Sequence, residues 1–102
     1  YSIRMVDRVA VKGKAQAVSL YEILDAEEPN RKEAKEKTKV LLQEGMEAFF
    51  GRDFALAFDL FSQGMLKDPE DPVFEIFANR SQRYLENPPP NDWKGYESLY
   101  SK

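Results

Sequence analysis

The segment FALAFDLFSQGM, residues 54–65, has the most regular pattern in this chain. Its apolar and small residues recur at helical spacing without exception, and they are Phe54, Ala57, Phe58, Phe61, Gly64 and Met65. A stripe with this period marks the buried face of an amphipathic helix. Asp53 fits the N-cap of this helix, and the proline-rich stretch after Lys67 ends it. We therefore expect the fold to be built around this central helix.

A second helix is predicted before the central one. The pattern predicts that it runs from about Arg31 to Phe50, with Asn30 as the N-cap and Glu33 completing a capping box. Its charged beginning, as far as Lys39, is expected to be solvated. Its later half carries a stripe that should face the central helix, made of Leu41, Leu42, Gly45, Ala48 and Phe49.

A third helix is predicted after the central one. Pro72 fits its first position and Asp71 its N-cap, while three prolines at 88–90 end it after Asn87. Its apolar face is predicted to contain Val73, Phe74, Ile76, Phe77, Tyr84 and Leu85. The tail, residues 91–102, is rich in aromatic residues, so we expect it to fold back onto the helices.

The first 24 residues have the period of strands. The apolar residues of the first strand recur at odd positions, interrupted by Asp7, and they are Ile3, Met5, Val9 and Val11. The mostly apolar run at 17–24 predicts a second strand, buried on both faces, and residues 12–16 predict a hairpin turn. A two-stranded hairpin is marginal in water. We therefore expect it to pack on the helices or to pair with a second copy.

The sequence thus predicts an α+β fragment, with an N-terminal β-hairpin followed by a mainly α three-helix bundle. We expect residues 1–29 to be a terminal hairpin with its linker. Residues 30–102 are expected to form a separate helical region.

Composition excludes several classes of function. The chain has 102 residues, a net charge of -3, no Cys and no His. It lacks the excess of Lys and Arg that nucleic acid or an anionic membrane surface requires, so neither is expected as a partner. Disulfides, thiolate catalysis, imidazole catalysis and zinc sites built on His are also excluded. No apolar run approaches the roughly 20 residues of a membrane span. A reducing, cytoplasmic location fits the absence of Cys.

The helical region resembles one tetratricopeptide repeat. The residues at the pattern's small, aromatic and proline positions are Gly45, Phe54, Ala57, Phe61 and Pro69. Small residues are needed where two antiparallel helices approach closely, and aromatic rings fill the space beside them. The third helix would then cap the repeat. The alternative is a plain three-helix bundle whose spacing matches by chance.

Two strings carry a further resemblance. The first is Val-Lys-Gly-Lys at 11–14, followed by Tyr-Glu-Ile at 21–23. The second is Pro-Pro-Pro-Asn-Asp-Trp-Lys-Gly at 88–95. The first resembles the closing strands of the catalytic domain of class III adenylate/guanylate cyclases. The second resembles a string that closes a short C-terminal extension in bacterial cyclases of this class, and the two occur in the family's order.

This resemblance implies a parent catalytic domain with a ferredoxin-like fold that works as a head-to-tail dimer. The parent would convert ATP, with GTP as second choice, to the cyclic nucleotide and pyrophosphate, using two Mg²⁺ or Mn²⁺ ions held by aspartates. In the family the first lysine of the turn reaches the triphosphate, which identifies Lys12 as the substrate-phosphate-binding residue. Gly13 lets the backbone approach, and Lys14 is interpreted as solvated.

The departures from the family are equally informative. The family's metal-binding aspartates and its transition-state Asn/Arg pair lie upstream and are absent here. Asp7 and Asp25 do not match their positions, so we assign no catalytic residue and no metal ligand. We expect this chain alone to be inactive and to bind no metal. The helical tail is then predicted to be regulatory or to stabilise a homodimer.

A second hypothesis is a stand-alone tetratricopeptide-like module that binds a protein partner. Exposed aromatic residues such as Phe50 or Tyr100 could line its groove, which would be short because there is one repeat. Arg80 and Arg83 are the obvious basic pair near the helical core, and we interpret them as a solvated face.

Overall fold

The computed structural model describes residues 2–10, 17–93 and 97–98. Within these residues the elements follow in the order β1 (Ile3–Ala10), β2 (Ala17–Ile23), a 3-10 turn (Leu24–Ala26), α1 (Pro29–Phe50), α2 (Phe54–Lys67), α3 (Pro72–Glu86) and β3 (Glu97–Ser98). The sheet order is β2-β1-β3, with β1 antiparallel to β2 and parallel to β3. The predicted α+β fold, a hairpin followed by three helices, is confirmed. The division at residues 29 and 30 stays a prediction.

An aromatic core joins the three helices. Its buried members are Leu42, Met46, Phe49, Phe54, Ala57, Phe61, Phe74, Phe77 and Ala78. The ring of Phe49 meets Phe54 and Phe77 edge-on, with centroids 5.5 and 5.3 Å apart. Such contacts between rings add to the hydrophobic stabilisation. The N-caps predicted for α2 and α3 are also confirmed, since Asp53 accepts a hydrogen bond from the backbone at the start of α2 and Asp71 does so at the start of α3.

Two glycines set how closely the helices approach each other. A Cβ at Gly45 in α1 would lie 2.6 Å from the ring of Phe61 in α2. A Cβ at Gly64 in α2 would lie 2.1 Å from the ring of Phe74 in α3. Both distances are far shorter than a non-bonded carbon contact, which is optimal at about 3.5–4.0 Å. The ring of the neighbouring helix therefore occupies the space that any side chain would need.

The apolar face predicted for α3 is too wide. Its buried residues follow the i, i+3, i+4, i+7 spacing of one narrow face, and they are Phe74, Phe77, Ala78 and Ser81. Ile76 and Leu85 lie off this face and are 46% and 48% exposed. The prediction was wrong for these two residues because small residues, rather than large apolar ones, complete the buried stripe.

Helix α1 begins earlier than predicted, and its beginning is solvated on one side only. Pro29 occupies the first helical position and Glu28 the N-cap, with no side-chain capping bond. The predicted capping box of Asn30 and Glu33 is therefore wrong. Proline suits the first position because the amide that it lacks would have no partner there. Lys35 is buried because the end of β2 lies against this half of the helix.

A β-bulge changes the orientation of the second half of β1. The register shifts between Met5 and Asp7, where Val6 is the extra residue. The shift places Asp7 on the same face as Arg4, whereas a regular strand would place them on opposite faces. Val9, which is buried, also lies on this face. The predicted alternation of odd positions therefore holds only before the bulge.

Strand β2 is exposed, so its predicted burial on both faces is wrong. Along this strand the exposed fraction is 37% for Val18, 42% for Leu20, 58% for Tyr21 and 55% for Ile23. Val18 and Leu20 lie on one face and the other two on the opposite face. Neither face is covered along the strand by the part of the chain that the structure describes.

The beginning of the tail folds back on the helices, as predicted. The ring of Trp93 lies 5.3 Å from that of Tyr84. Arg52 holds this segment by donating hydrogen bonds to the carbonyl oxygens of Pro89 (2.9 Å) and Pro90 (3.0 Å). The φ of Arg52 is 68°, a left-handed conformation that strains a non-glycine residue by roughly 1–2 kcal/mol. The tail residues outside the described part of the chain include Tyr96, Leu99 and Tyr100.

We predict that Gly64→Ala destabilises the protein although alanine is the better helix former. The gain of roughly 1 kcal/mol in helix propensity is outweighed by overlap with the buried ring of Phe74, which typically costs about 1–3 kcal/mol or more. Urea unfolding measures the difference in the free energy of unfolding between the variant and the wild type. The neighbouring Gln63→Ala, at an exposed position, is the control and should change the free energy of unfolding by less than about 0.5 kcal/mol. A Gly64→Ala protein as stable as wild type would show that α3 can move away from α2.

Candidate functional site

The predicted phosphate-binding residue, Lys12, lies outside the described residues, as does the rest of the turn predicted at 12–16. The structure describes the base of this turn, where Ala10 at the end of β1 pairs with Ala17 at the start of β2. It also describes the contacts that hold the two strands on the helices. We call these contacts the hairpin platform; its residues are Arg4, Asp7, Glu22, Lys35, Asp71 and Arg80.

Arg4 is the centre of the platform. Its guanidinium is buried and donates two hydrogen bonds to the carboxylate of Asp71, at 2.7 and 3.1 Å, and one to Glu22, at 2.8 Å. Asp71 also accepts a hydrogen bond from the amide of Val73 as the N-cap of α3. Burial by itself would lower the pKa of Arg4, but these carboxylates raise it above its ordinary value. One arginine therefore joins β1, β2 and the beginning of α3.

Glu22 extends this network to α1. It accepts a hydrogen bond from Lys35 at 2.9 Å, in addition to the one from Arg4, and Lys35 also pairs with Glu27. Burial by itself would raise the pKa of Glu22, but the hydrogen bonds from Lys35 and Arg4 outweigh this effect, so its pKa is lowered. For Lys35 the two effects have opposite signs, and the hydrogen bonds again outweigh burial. Burial would lower its pKa, but the bonds to Glu27 and Glu22 raise it.

A second contact links β1 to α3 further along both elements. One nitrogen of Arg80 lies 3.1 and 3.2 Å from the two carboxylate oxygens of Asp7. The guanidinium also lies over the ring of Phe77, 4.6 Å from its centroid. The interpretation of Arg80 as a solvated side chain is therefore wrong, whereas Arg83 is exposed as expected. This contact exists because the bulge turns Asp7 towards the helices.

The platform holds the hairpin in place rather than performing chemistry. Each of its charged groups has an opposite charge within hydrogen-bond distance, so it offers no free acid or base. The described residues also contain no group of three or more acidic side chains arranged to hold a metal ion. Sequence reasoning missed Arg4 and Asp71 as a pair; the available signal was a lone arginine between two apolar residues of a strand.

Among the described residues, no helix combines the length and the apolar character needed to cross a bilayer.

Comparison with known proteins relates the chain to a cyclase. It is 32% identical over 80 residues to the terminal-differentiation-specific adenylate cyclase of Dictyostelium discoideum. The alignment covers 78% of this chain and 4% of that relative, so the chain spans a small part of the relative's length. No family model matches the chain, and no solved structure matches it. The match supports a distant relationship to an adenylate cyclase.

The length of this alignment is informative. At 80 residues it is longer than the helical region, residues 30–102, and much longer than residues 1–29. It must therefore include residues from both parts. The similarity is not confined to the hairpin or to the repeat-like helices.

We predict that Asp71→Asn destabilises the protein by about 3 kcal/mol. Asparagine is as good an N-cap as aspartate, so the loss measures the ion pair with Arg4. Leaving a buried charge without its partner typically costs about 3–5 kcal/mol, and the remaining bond from Arg4 to Glu22 places this variant at the lower end. The matched control is Asp53→Asn, which changes the exposed N-cap of α2 and should cost less than about 1 kcal/mol. Equal losses in urea unfolding would show that Asp71 acts only as a cap.

We predict that part of the stability is lost in acid through Glu22. Because its pKa is lower in the folded protein than its ordinary value of 4.5, its contribution is fully present above that value and is lost as the pH falls through the folded-state pKa. Urea unfolding of wild type and Glu22→Gln, from neutral pH to about pH 3, measures it. The variant should be less stable at neutral pH and lose less on acidification. The exposed Glu44→Gln is the control, and it should follow the wild-type curve.

Proposed function

We propose that this chain is the C-terminal part of a class III nucleotidyl cyclase that makes cyclic AMP from ATP. The observation that carries the proposal is the 80-residue alignment with an adenylate cyclase, which is longer than the helical region alone. The two cyclase-like strings at 11–23 and 88–95 also support it. Cytoplasmic location and bacterial origin are part of the same proposal.

In this proposal Lys12 binds the triphosphate of the substrate. A lysine in a hairpin turn beside glycine is well suited to this role, because a flexible ammonium group can offset phosphate charge where the backbone approaches closely. The rest of the site lies upstream in the parent enzyme, including the aspartates that would hold Mg²⁺ or Mn²⁺. The 102-residue chain by itself is therefore expected to make no cyclic nucleotide.

The exposed apolar residues of β2 support the proposal that the hairpin belongs to a larger sheet in the parent enzyme. Leu20, Tyr21 and Ile23 are all more than 40% exposed, and they lie on both faces of the strand. Native proteins avoid a long, apolar and uncovered edge strand because it invites pairing with other chains. A parent catalytic domain would cover Leu20 and Ile23.

In this proposal the helical region supports the hairpin and sets its orientation. In this way it would regulate the parent enzyme or stabilise its dimer. The ion pairs of the hairpin platform support this role because they connect α1 and α3 directly to the strands on either side of the turn. The close contact of Gly45 with Phe61 supports the similarity to one tetratricopeptide repeat. The proposal also includes a homodimeric parent enzyme and a preference of that enzyme for ATP over GTP as substrate.

The proposal predicts that Lys12→Ala in the full-length parent lowers cyclic AMP formation from ATP, with Mg²⁺ or Mn²⁺, by at least about tenfold. Loss of one preorganised donor to developing charge commonly costs about 10²–10³ in rate. Lys14→Ala is the matched control, being the same change two residues away, and should retain most of the activity. Product formation is measured with ATP and, separately, with GTP. A parent that makes neither cyclic nucleotide would contradict the proposed function, whereas equal activity of the two variants would contradict only the role of Lys12.

A further inference from the structure

A cleft of about 540 Å³ lies between β1 and α1, and we call it the β1–α1 cleft. Its apolar surface includes Met5 and Tyr21 from the strands and Phe50 from the helix, while Leu42 and Met46 are buried beneath it. Its volume falls in the range of about 300–1,000 Å³ typical of binding sites. The cleft lies on the side of α1 that faces the hairpin, so it is distinct from a groove between the repeat helices.

The two walls of the cleft run side by side. At one end Lys35 of α1 binds Glu22, the strand partner of Arg4, and at the other end Arg8 lies 4.7 Å over the ring of Phe50. The strand wall from Ile3 to Arg8 is roughly 16 Å long at about 3.3 Å per residue. The helix wall from Lys39 to Phe50 is also roughly 16 Å long at 1.5 Å per residue. The cleft is therefore an elongated groove with a defined direction.

Two cations at the ends of this groove have no carboxylate partner among the described residues. Every other arginine and lysine of β1 and α1 has a carboxylate partner, and these paired residues are Arg4, Arg31, Lys32, Lys35 and Lys37. Arg8 and Lys39 have no ion pair among the described residues, although both are only half exposed and both line the cleft. Glu47 also lines the cleft and offsets one of these two charges. Arg4 adds nothing to the balance because Asp71 and Glu22 neutralise it. The net charge of the lining is therefore positive.

We propose that the β1–α1 cleft binds an extended peptide segment in which apolar side chains are flanked by two carboxylates. The apolar side chains would lie on Met5, Tyr21 and Phe50, and the carboxylates would pair with Arg8 and Lys39 at the two ends. An extended chain places alternate side chains on one face, so a heptapeptide with acids at its first and last positions spans about 20 Å and reaches both cations. This inference does not depend on the cyclase proposal, because it uses only residues of this chain.

Fluorescence anisotropy with the 102-residue chain tests the proposal. The probe is fluorescein-labelled Glu-Thr-Leu-Thr-Leu-Thr-Glu, and its matched control is the same peptide with Gln at both ends. We expect saturable binding of the acidic peptide, weakened by added salt, and a Kd about fivefold higher for Lys39→Gln and for Arg8→Gln, since each removes one partly exposed ion pair. Ile3→Asp, at the edge of the strand wall, should abolish binding by repelling the acidic peptide.

The control variant is Lys37→Gln, which makes the same charge change on the same helix outside the cleft and should leave the Kd unchanged. All variants are compared by thermal unfolding, so a loss of binding is interpreted only where the melting curve is retained. Absence of saturable binding up to about 1 mM, equal binding of the Gln peptide, or equal effects of Lys37→Gln and Lys39→Gln would each overturn the proposal. Displacement of the peptide by lower concentrations of laurate would also overturn it, since the cleft would then be a site for a lipid carboxylate.

Discussion

The buried ion pair between Arg4 and Asp71 is the interaction on which the arrangement of hairpin and helices depends. Both side chains are almost completely removed from solvent, at 2% and 0% exposed. Desolvating two charges is costly, and the cost is offset only when the geometry satisfies both groups. Here Asp71 binds the guanidinium with both oxygens and caps α3 with one of them, while Glu22 accepts a hydrogen bond from Nε. Displacing α3 from the strand would leave a buried charge unpaired.

The aromatic core explains why so short a helical array can hold together. Gly45 and Gly64 allow neighbouring helices to approach until rings occupy the space of absent side chains. Trp93 then covers the end of this core, where it meets the ring of Phe49 at 5.6 Å. A repeat array normally needs about three repeats to bury a continuous core. In this chain the tail and the hairpin cover surfaces that further repeats would otherwise cover.

The charged residues of the hairpin platform differ from those that line the β1–α1 cleft. Every platform residue is paired, which fixes one orientation of the strands. Arg8 and Lys39, in contrast, form no ion pair with any residue that the structure describes, and they lie at the two ends of an apolar groove. The same elements therefore provide a rigid internal contact on one side and a surface with unsatisfied charge on the other. Both functional proposals, the support of a catalytic hairpin and the capture of an acidic peptide, follow from this division.

The sequence by itself determined the kind and order of the two hairpin strands and the three helices, because helical spacing, capping aspartates and prolines act locally; the short strand β3 was not predicted. The stripe through Phe54, Ala57 and Phe61 and the caps at Asp53 and Asp71 were all readable from it. Only the tertiary structure decided which charges meet. Arg4 and Asp71 are 67 residues apart in sequence and Asp7 and Arg80 are 73 apart. The bulge at Val6, which sets the face of Asp7, depends on pairing with β2, so no local pattern in β1 could reveal it.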